Sequence, residues 1–403
     1  MDPVVITVFA LVYAGMFLGE FPGLRLDRSA MALLGAIVLV ATGRLSLDGA
    51  WSAIDAPTIA LLFGLMVISA QFRLAGFYAA VTRHLGRSRH SERGLLALVI
   101  LAAGGLSAIL ANDIVCLAMA PVLVELCTHR RLNPVPYLLA LACAANVGSA
   151  GTLIGNPQNM LIGQTLQLSF AGYLVDGGVP ALLGLGIVWM VIAFVFAERW
   201  EGASTTVNVN APPFHRWQTA KATLVTCVVI GAFLFTSWPR DIVALAAAGA
   251  LLVSRRLSSR SLLTEVDWHL LLLFIGLFVV NHALAQSGFV SGLLMASRAA
   301  GADLTHPGVL FAATAVLSNI VSNVPAVMLL LPAARDPIAG PVLALSSTLA
   351  GNLVIVGSIA NIIVVDQAAR LGIVIDWRAH ARAGIPVAML TLVLAALWLA
   401  ILR

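Results

Sequence analysis

Charge is what this sequence has least of. Asp, Glu, Lys and Arg together make up 10% of its 403 residues, where a soluble domain carries about 25%. Lysine is nearly missing: Lys221 stands alone, and the other basic residues are arginines. Cysteine is scarce too. Cys116, Cys127, Cys143 and Cys227 show neither paired nor metal-type spacing, which reads as small buried apolar side chains rather than a disulfide framework or a metal site. The chain has no phosphate-binding glycine loop, no metal-ligand cluster and no nucleophile–base arrangement, so nothing points to an enzyme or to a resident cofactor. Strands of alternating polarity are missing as well, which argues against an outer-membrane barrel.

Apolar residues fill the space, at 60% of the chain with a mean hydropathy of +0.99. Apolar runs near or above the roughly 18 residues that cross a bilayer recur from end to end. The expected fold class is therefore an all-α polytopic membrane protein, with the lipid bilayer as its main partner. The first run, at 3–20, lacks a basic leading region and reads as a retained span rather than a cleaved signal. The net charge of +5 needs no nucleic-acid partner, because cytoplasmic loops of membrane proteins carry such an excess.

The chain repeats itself. Residues 28–77 align with 240–289 without a gap, at a constant offset of 212, matching Arg28 to Arg240, Asp55 to Asp267, Gly64 to Gly276 and the GF pair at 76–77 to 288–289. One residue of slip then aligns LSAILANDIVCLAMAP (106–121) with LSNIVSNVPAVMLLLP (317–332), setting Ser107 against Ser318 and Asn112 against Asn323. Further on, NVGSAGTLIGNPQN (146–159) pairs with NLVIVGSIAN (352–361). Four extra residues in the first copy are expected here, with Asn146/Asn352, Gly155/Gly357 and Asn159/Asn361 in register.

Each half reads as five spans and one odd segment. The spans are 3–20, 29–43, 56–82, 136–165 and 175–197, then 219–236, 241–254, 267–296, 342–365 and 383–402. The odd segments, 95–127 and 308–334, are too short for two crossings and carry polar centres, Asn112-Asp113 and Ser322-Asn323. They are expected to be re-entrant hairpins, since non-helical backbone at that depth needs cover from protein or a watery cavity. Arginines test this: Arg83, Arg87, Arg89 and Arg93 precede the first hairpin and Arg130 and Arg131 follow it, placing both ends in the cytoplasm. Only Arg44, Arg240, Arg298, Arg335 and Arg403 then fall outside, and both termini face outward. An odd number of crossings inverts the second copy, so 1–199 and 218–403 are expected to be inverted repeats joined by a polar cytoplasmic linker at 200–217. Inverted repeats with interrupted helices are the signature of a secondary transporter.

The interruptions carry the chemistry. Gly155 and Gly357 free the backbone, Pro157 removes a donor, and Asn156, Gln158, Asn159, Ser358 and Asn361 offer both donors and acceptors. Exposed half-helix ends favour anions at their N-termini and small cations at carbonyls. Asp113, whose counterpart is Val324, breaks the symmetry. A carboxylate at membrane depth is by default a functional candidate, able to carry a proton or help hold sodium, and able also to cap the second limb of the hairpin. His282 is a weaker candidate for coupling. Arg73 and Glu125 read as snorkelling side chains near span ends, and Asp55 and Asp267 as helix starts.

LANDIVCLAMAP, IGNPQNMLIG, VDWHLLLLF, SNVPAVMLLLP and VGSIANIIV together resemble the ion transporter superfamily. That group holds arsenite efflux permeases, NhaD-type sodium/proton antiporters, citrate transporters and divalent anion/sodium symporters, and the chain is most like its YbiR-like bacterial permeases. The resemblance implies a multi-pass protein of the bacterial inner membrane, expected to be a homodimer, with a dimerising scaffold domain and a mobile transport domain in each copy. It also implies two ion sites, one from Ser107, Asn112 and Gly155 and one from Ser318, Asn323 and Gly357, with substrate held between them. Where the symporters carry Ser-Asn-Thr at each tip, this chain reads Ala111-Asn112-Asp113 and Ser322-Asn323-Val324. The missing threonines argue against dicarboxylates, and the Asn-Asp tip resembles the arsenite and sodium/proton branches.

The expected function is secondary active transport of a small inorganic or organic anion or oxyanion-like solute, coupled to protons or sodium. Substrate contacts are expected from Asn112, Asp113, Asn156, Pro157, Gln158, Asn159, Asn323, Ser358 and Asn361. A sodium/proton antiporter using Asp113, an arsenite efflux permease with Cys116 one turn past the tip, and a passive channel are the alternatives.

Overall fold

Helices begin where the sequence supplies a cap. In the computed structural model, which describes residues 2–19, 26–87, 91–197, 199–201, 209 and 211–402, Asp2, Asp27, Ser46, Asp55, Ser91, Asn133, Asn156, Ser169, Ser258, Asp267 and His306 each accept a backbone N–H of the turn that follows. Asp55 and Asp267 thus start equivalent helices, as their positions suggest. Residues 202–208 and 210 of the linker at 200–217, together with Arg89 and Arg403, lie outside the described residues.

The first half runs α1 (Pro3–Leu18), α2 (Arg28–Ala41), α3 (Leu47–Ala53), α4 (Ala56–Leu74), α5 (Phe77–Arg87), α6 (Glu92–Ile109), α7 (Asn112–His129), α8 (Pro134–Ser149), α9 (Pro157–Thr165) and α10 (Phe170–Val195). The second runs α11 (Arg216–Phe235), α12 (Arg240–Leu252), α13 (Ser259–Thr264), α14 (Trp268–Gln286), α15 (Phe289–Ala299), α16 (Pro307–Val321), α17 (Asn323–Leu330), α18 (Ala339–Ala350), α19 (Ile359–Arg370) and α20 (Trp377–Leu402). No strand occurs among the described residues beyond an isolated bridge between Leu132 and Glu201. Seven of these helices (α4, α6, α7, α10, α11, α14 and α20) are long and apolar enough to cross a membrane. The protein is an all-α polytopic membrane protein.

Three details differ from the sequence reading. The spans expected at 56–82 and 267–296 each split in two, because Gly76 and Gly288 take left-handed backbone (φ +70° and +75°) that ends α4 and α14. A Cβ on Gly76 would also lie 2.6 Å from the carbonyl oxygens of Pro212 and Pro213. The short helices α3 and α13 were not expected at all. The two hairpins turn differently: Leu110 and Ala111 are extended between α6 and α7, whereas Ser322 alone, at φ +75°, turns α16 into α17.

The halves pack on each other by exchange. α4 lies against α12 and α2 against α14. A Cβ on Gly64 would come within 2.6 Å of the Ala244 backbone, and one on Gly276 within 2.5 Å of the Ala32 backbone. Gly64/Gly276 and Ala32/Ala244 are each related by the same offset of 212, so the same contact is made twice, once by each half on the other. The centre of the molecule is formed by α8 and α18: every residue of α18, and of α8 from Pro136 onward, is buried.

Candidate functional site

α8 and α18 both stop in that buried centre. After Ser149 the chain leaves the α-helix at 150–156 and restarts as α9; after Ala350 it does so at 351–358, apart from one 3-10 turn at Ile355–Gly357, and restarts as α19. An asparagine closes each gap. Asn159 donates through Nδ2 to the carbonyls of Thr152 (2.8 Å) and Ser149 (3.4 Å), seven and ten residues back. Asn361 donates to Val354 (3.2 Å) and Gly351 (2.8 Å), again seven and ten residues back. These amides take the carbonyls that the interrupted helices leave unpaired.

The gaps also bind each other's helices, in matched pairs. Asn156 Nδ2 donates to Thr348 Oγ1 (3.3 Å), and Ser358 Oγ donates to Asn146 Oδ1 (2.8 Å). Thr348 Oγ1 donates to Asn159 Oδ1 (3.4 Å), and Asn146 Nδ2 donates to Asn361 Oδ1 (3.1 Å). Every one of these pairs is related by an offset of 202. The expected four-residue insertion is therefore absent, and Asn146 is the partner in symmetry of Thr348. Asn352 instead faces Asn146, accepting from its Nδ2 at 2.8 Å. Gln158 Nε2 adds a bond to Thr348 Oγ1 at 3.0 Å. Asn156, Gln158, Asn159, Ser358 and Asn361 are all buried, and among the described residues no charged side chain enters their network.

The hairpin tips meet the gaps unequally. At the first, the Asn112 backbone N–H donates to Gly155 O (3.3 Å), and a Cβ on Gly155 would sit 2.7 Å from Ser107 O and 2.4 Å from Ser149 O. Only glycine lets the hairpin come this close. Ser107 Oγ and Asn112 Oδ1 are buried there without a hydrogen-bond partner. At the second, Asn323, with its amide oriented by its neighbours, donates to Ser347 O and Gly357 O (3.1 Å each) and accepts from Gln158 Nε2 (3.2 Å). Ser318 Oγ is bonded to Ala315 O at 3.2 Å. The spare acceptor at this end is Asn319 Oδ1, 2.7 Å from where a Cβ on Gly357 would stand.

Asp113 is half-buried in the first turn of α7. The N-cap of that helix is Ala111, with no side-chain cap bond, so the capping role considered for Asp113 is not found. Among the described residues no cation pairs with it. Asp267 lies within electrostatic reach of it, on the wall of a cavity of about 850 Å³ that also touches Arg28, His269, Ile355, Ile359 and Asp366. Cys116 is fully buried. His282 faces elsewhere: its Nε2 lies 2.8 Å from Gln286 Nε2, and it lines a separate cavity of about 410 Å³ with Asp55 and Asn281. Arg73 and Glu125 do not simply snorkel, for Arg73 pairs with Glu265, and Glu125 with Arg83 at 3.4 Å. The sequence reading missed Thr348, Asn319 and Tyr173, whose hydroxyl accepts from Asn159 Nδ2 (3.2 Å) and donates to Ala150 O (2.8 Å).

The chain resembles known proteins along its whole length. The Alcanivorax borkumensis YdaH transporter shares the fold, with a TM-score of 0.55 at 14% identity, covering 99% of this chain and 97% of that one. An uncharacterized transporter of Mycobacterium tuberculosis, Rv2685, is 30% identical over 99% of this chain and 98% of its own. The inner membrane protein YbiR of Escherichia coli is 31% identical over 82% and 84%, and the silicon efflux transporter LSI3 of Oryza sativa is 29% identical over 87% of each. Residues 13–341 match the family described as CitMHS, citrate transporter. With its paired helix breaks, its hairpins and this match, the chain belongs to that family of membrane transporters and is not an enzyme.

Proposed function

We propose that the protein is a secondary active transporter of a small anion or oxyanion-like solute, coupled to protons or sodium and working by alternating access. The observation that carries this reading is the pair of gaps related by the 202-residue offset, the first beside the unpartnered buried oxygens of Ser107 and Asn112 and the second beside that of Asn319. Leaving a buried acceptor unpaired costs about 1–3 kcal/mol. A small cation at Ser107 Oγ and Asn112 Oδ1, with the carbonyl of Gly155 beside them, removes that cost. The second tip, where Ser318 and Asn323 are already bonded beside Gly357, holds an ion less readily in this state, with Asn319 its spare ligand. Asn156, Asn159 and Asn361 then shape the gaps. Asp113 faces solute, joined by Asn112 and by Gln158 and Ser358 on release of their present bonds to Thr348 and Asn146, near the N-termini of α9 and α19, where the helix dipole favours negative charge.

Electrostatics narrows the solute. Among the described residues no arginine or lysine belongs to the network, and Asp113 with Asp267 opposes a bare anion. An anion therefore binds when Asp113 is protonated or cation-paired. A second reading, export of a neutral hydroxylated solute such as arsenous or silicic acid in exchange for protons at Asp113, follows from the same absence of a cation. Similarity to a silicon efflux transporter supports it.

The arginine distribution supports an inner-membrane protein with both termini outside, in which 1–199 and 218–403 are inverted relative to each other. The hairpins then enter from opposite faces, a homodimer being the expected assembly. α6 and α7 are each 18 residues long, enough to cross. What favours re-entrance is that their tip bonds to Gly155, midway along the broken α8–α9 helix.

Flux into proteoliposomes under separately imposed proton, sodium and voltage gradients tests the proposal. Saturable solute movement driven by a proton or sodium gradient supports it. Cation exchange without added solute identifies an antiporter, and flux that never saturates and runs only downhill identifies a channel.

A further inference from the structure

Arg28 and Arg240 are equivalent residues, each the first of its helix, yet they do different things. Arg240 Nη2 donates to Gly163 O (3.0 Å) and Leu168 O (2.9 Å), at and just past the C-terminal end of α9. Arg28 has no hydrogen-bond or ion-pair partner among the described residues, although its Nε is buried. The offset of 202 that relates the two gaps carries Gly163 to Val365 and Leu168 to Arg370, at the end of α19. Val365, Asp366 and Ala369 form one wall of the 850 Å³ cavity, and Arg28 is part of another. α9 is thus fastened to the first residue of α12, while α19 stands apart from the first residue of α2.

We infer that Arg28 and Arg240 are alternating latches of the transport cycle, an inference that rests on the alternating-access reading. In the present state Arg240 holds α9, and the cavity against α9, lined by Asp55, Leu161 and Thr165, is the smaller of the two, about 410 Å³ against about 850 Å³. In the other state Arg28 donates to the carbonyls of Val365 and Arg370, the larger cavity closes, and Arg240 releases α9. A guanidinium presents several donors in one plane and suits paired carbonyls, and a cation is favoured at the negative end of a helix dipole. Exchanging one such set of bonds for its twin leaves their number unchanged. Two states of similar free energy, as a cycle needs, follow from that. The arginine distribution puts Arg28 on the cytoplasmic side, so the present state opens inward.

Cysteine labelling tests this without any known substrate. Ile362→Cys reports on the inner cavity and its equivalent Met160→Cys, buried here, on the outer one, in full-length protein carrying Cys227→Ser to remove the exposed native thiol. An impermeant maleimide is applied to membrane vesicles of each orientation. Arg240→Gln is expected to lower labelling at 362 and raise it at 160 by about tenfold, a shift in keeping with loss of charged hydrogen bonds from one state only. Arg28→Gln should do the reverse. The double variant should bring both rates back toward their starting values, which a misfolded protein cannot do. Labelling at both sites that ignores the single variants, or moves in the same direction in both, overturns the latch. Rapid labelling of both sites while both arginines are intact is the mark of an open pore, and overturns the underlying reading with it.

Discussion

A single amide closes each helix gap, and this is where substitution should hurt most. Asn159→Ala removes the donor shared by Thr152 O and Tyr173 Oη and the acceptor of Thr348 Oγ1. Orphaning these buried groups should cost about 2–4 kcal/mol, near the upper end for single substitutions, read as a lowered thermal midpoint in detergent. Asp113→Asn should leave that midpoint nearly unchanged and flatten the pH dependence of transport; an unaltered pH profile would remove Asp113 from coupling. Asp303 cannot supply such a dependence. Bonds from Thr305 and Arg298 hold its carboxyl at about 2. A depressed carboxylate stabilises above its unfolded value of about 3.9 and loses that contribution only as pH falls below it.

Residue roles were unevenly legible in the sequence. Gly155, Gly357 and the two tip asparagines stand out because glycine and polar residues are out of place in an apolar helix. Thr348 and Asn319 did not, for one hydroxyl or amide replaces another in a hydrogen-bonded site without leaving an identity to match. Identity even misled, since aligning Asn146 with Asn352 shifted the register by four residues. Those two asparagines are neighbours across the interface between the halves, not equivalents.

At the scale of helices, the interface of α4 with α12 is set by a missing side chain. Gly64→Leu should force the helices apart, an overpacking cost of about 1–3 kcal/mol or more, measured as reduced folded yield and thermal midpoint. Gly249→Ala, on α12 with open space around it, should be neutral in the same assay. The helices themselves were largely readable from hydropathy and caps. The splits after α4 and α14 were not, because a hydrophobic run looks continuous across a glycine, and only the backbone shows that Gly76 and Gly288 turn left-handed. The repeated GF pair is the trace of that turn.

At the scale of the molecule, the sequence held the duplication but not the difference between its copies. Two halves built alike have unlike surroundings here: α9 is latched and α19 is not; Ser107 and Asn112 have spare oxygens while Ser318 and Asn323 have none. On the alternating-access proposal such differences belong to one state of a cycle, and a repeat in the sequence is the same in every state. The most direct test of the central claim is solute accumulation by proteoliposomes against its own gradient. Saturable uphill accumulation driven by an imposed proton or sodium gradient is expected, weakened about tenfold or more when Ser107→Ala and Asn112→Ala remove the spare oxygens, in keeping with loss of ligands to a charged group. Transport that only runs downhill, with the same rate in that double variant, would contradict it.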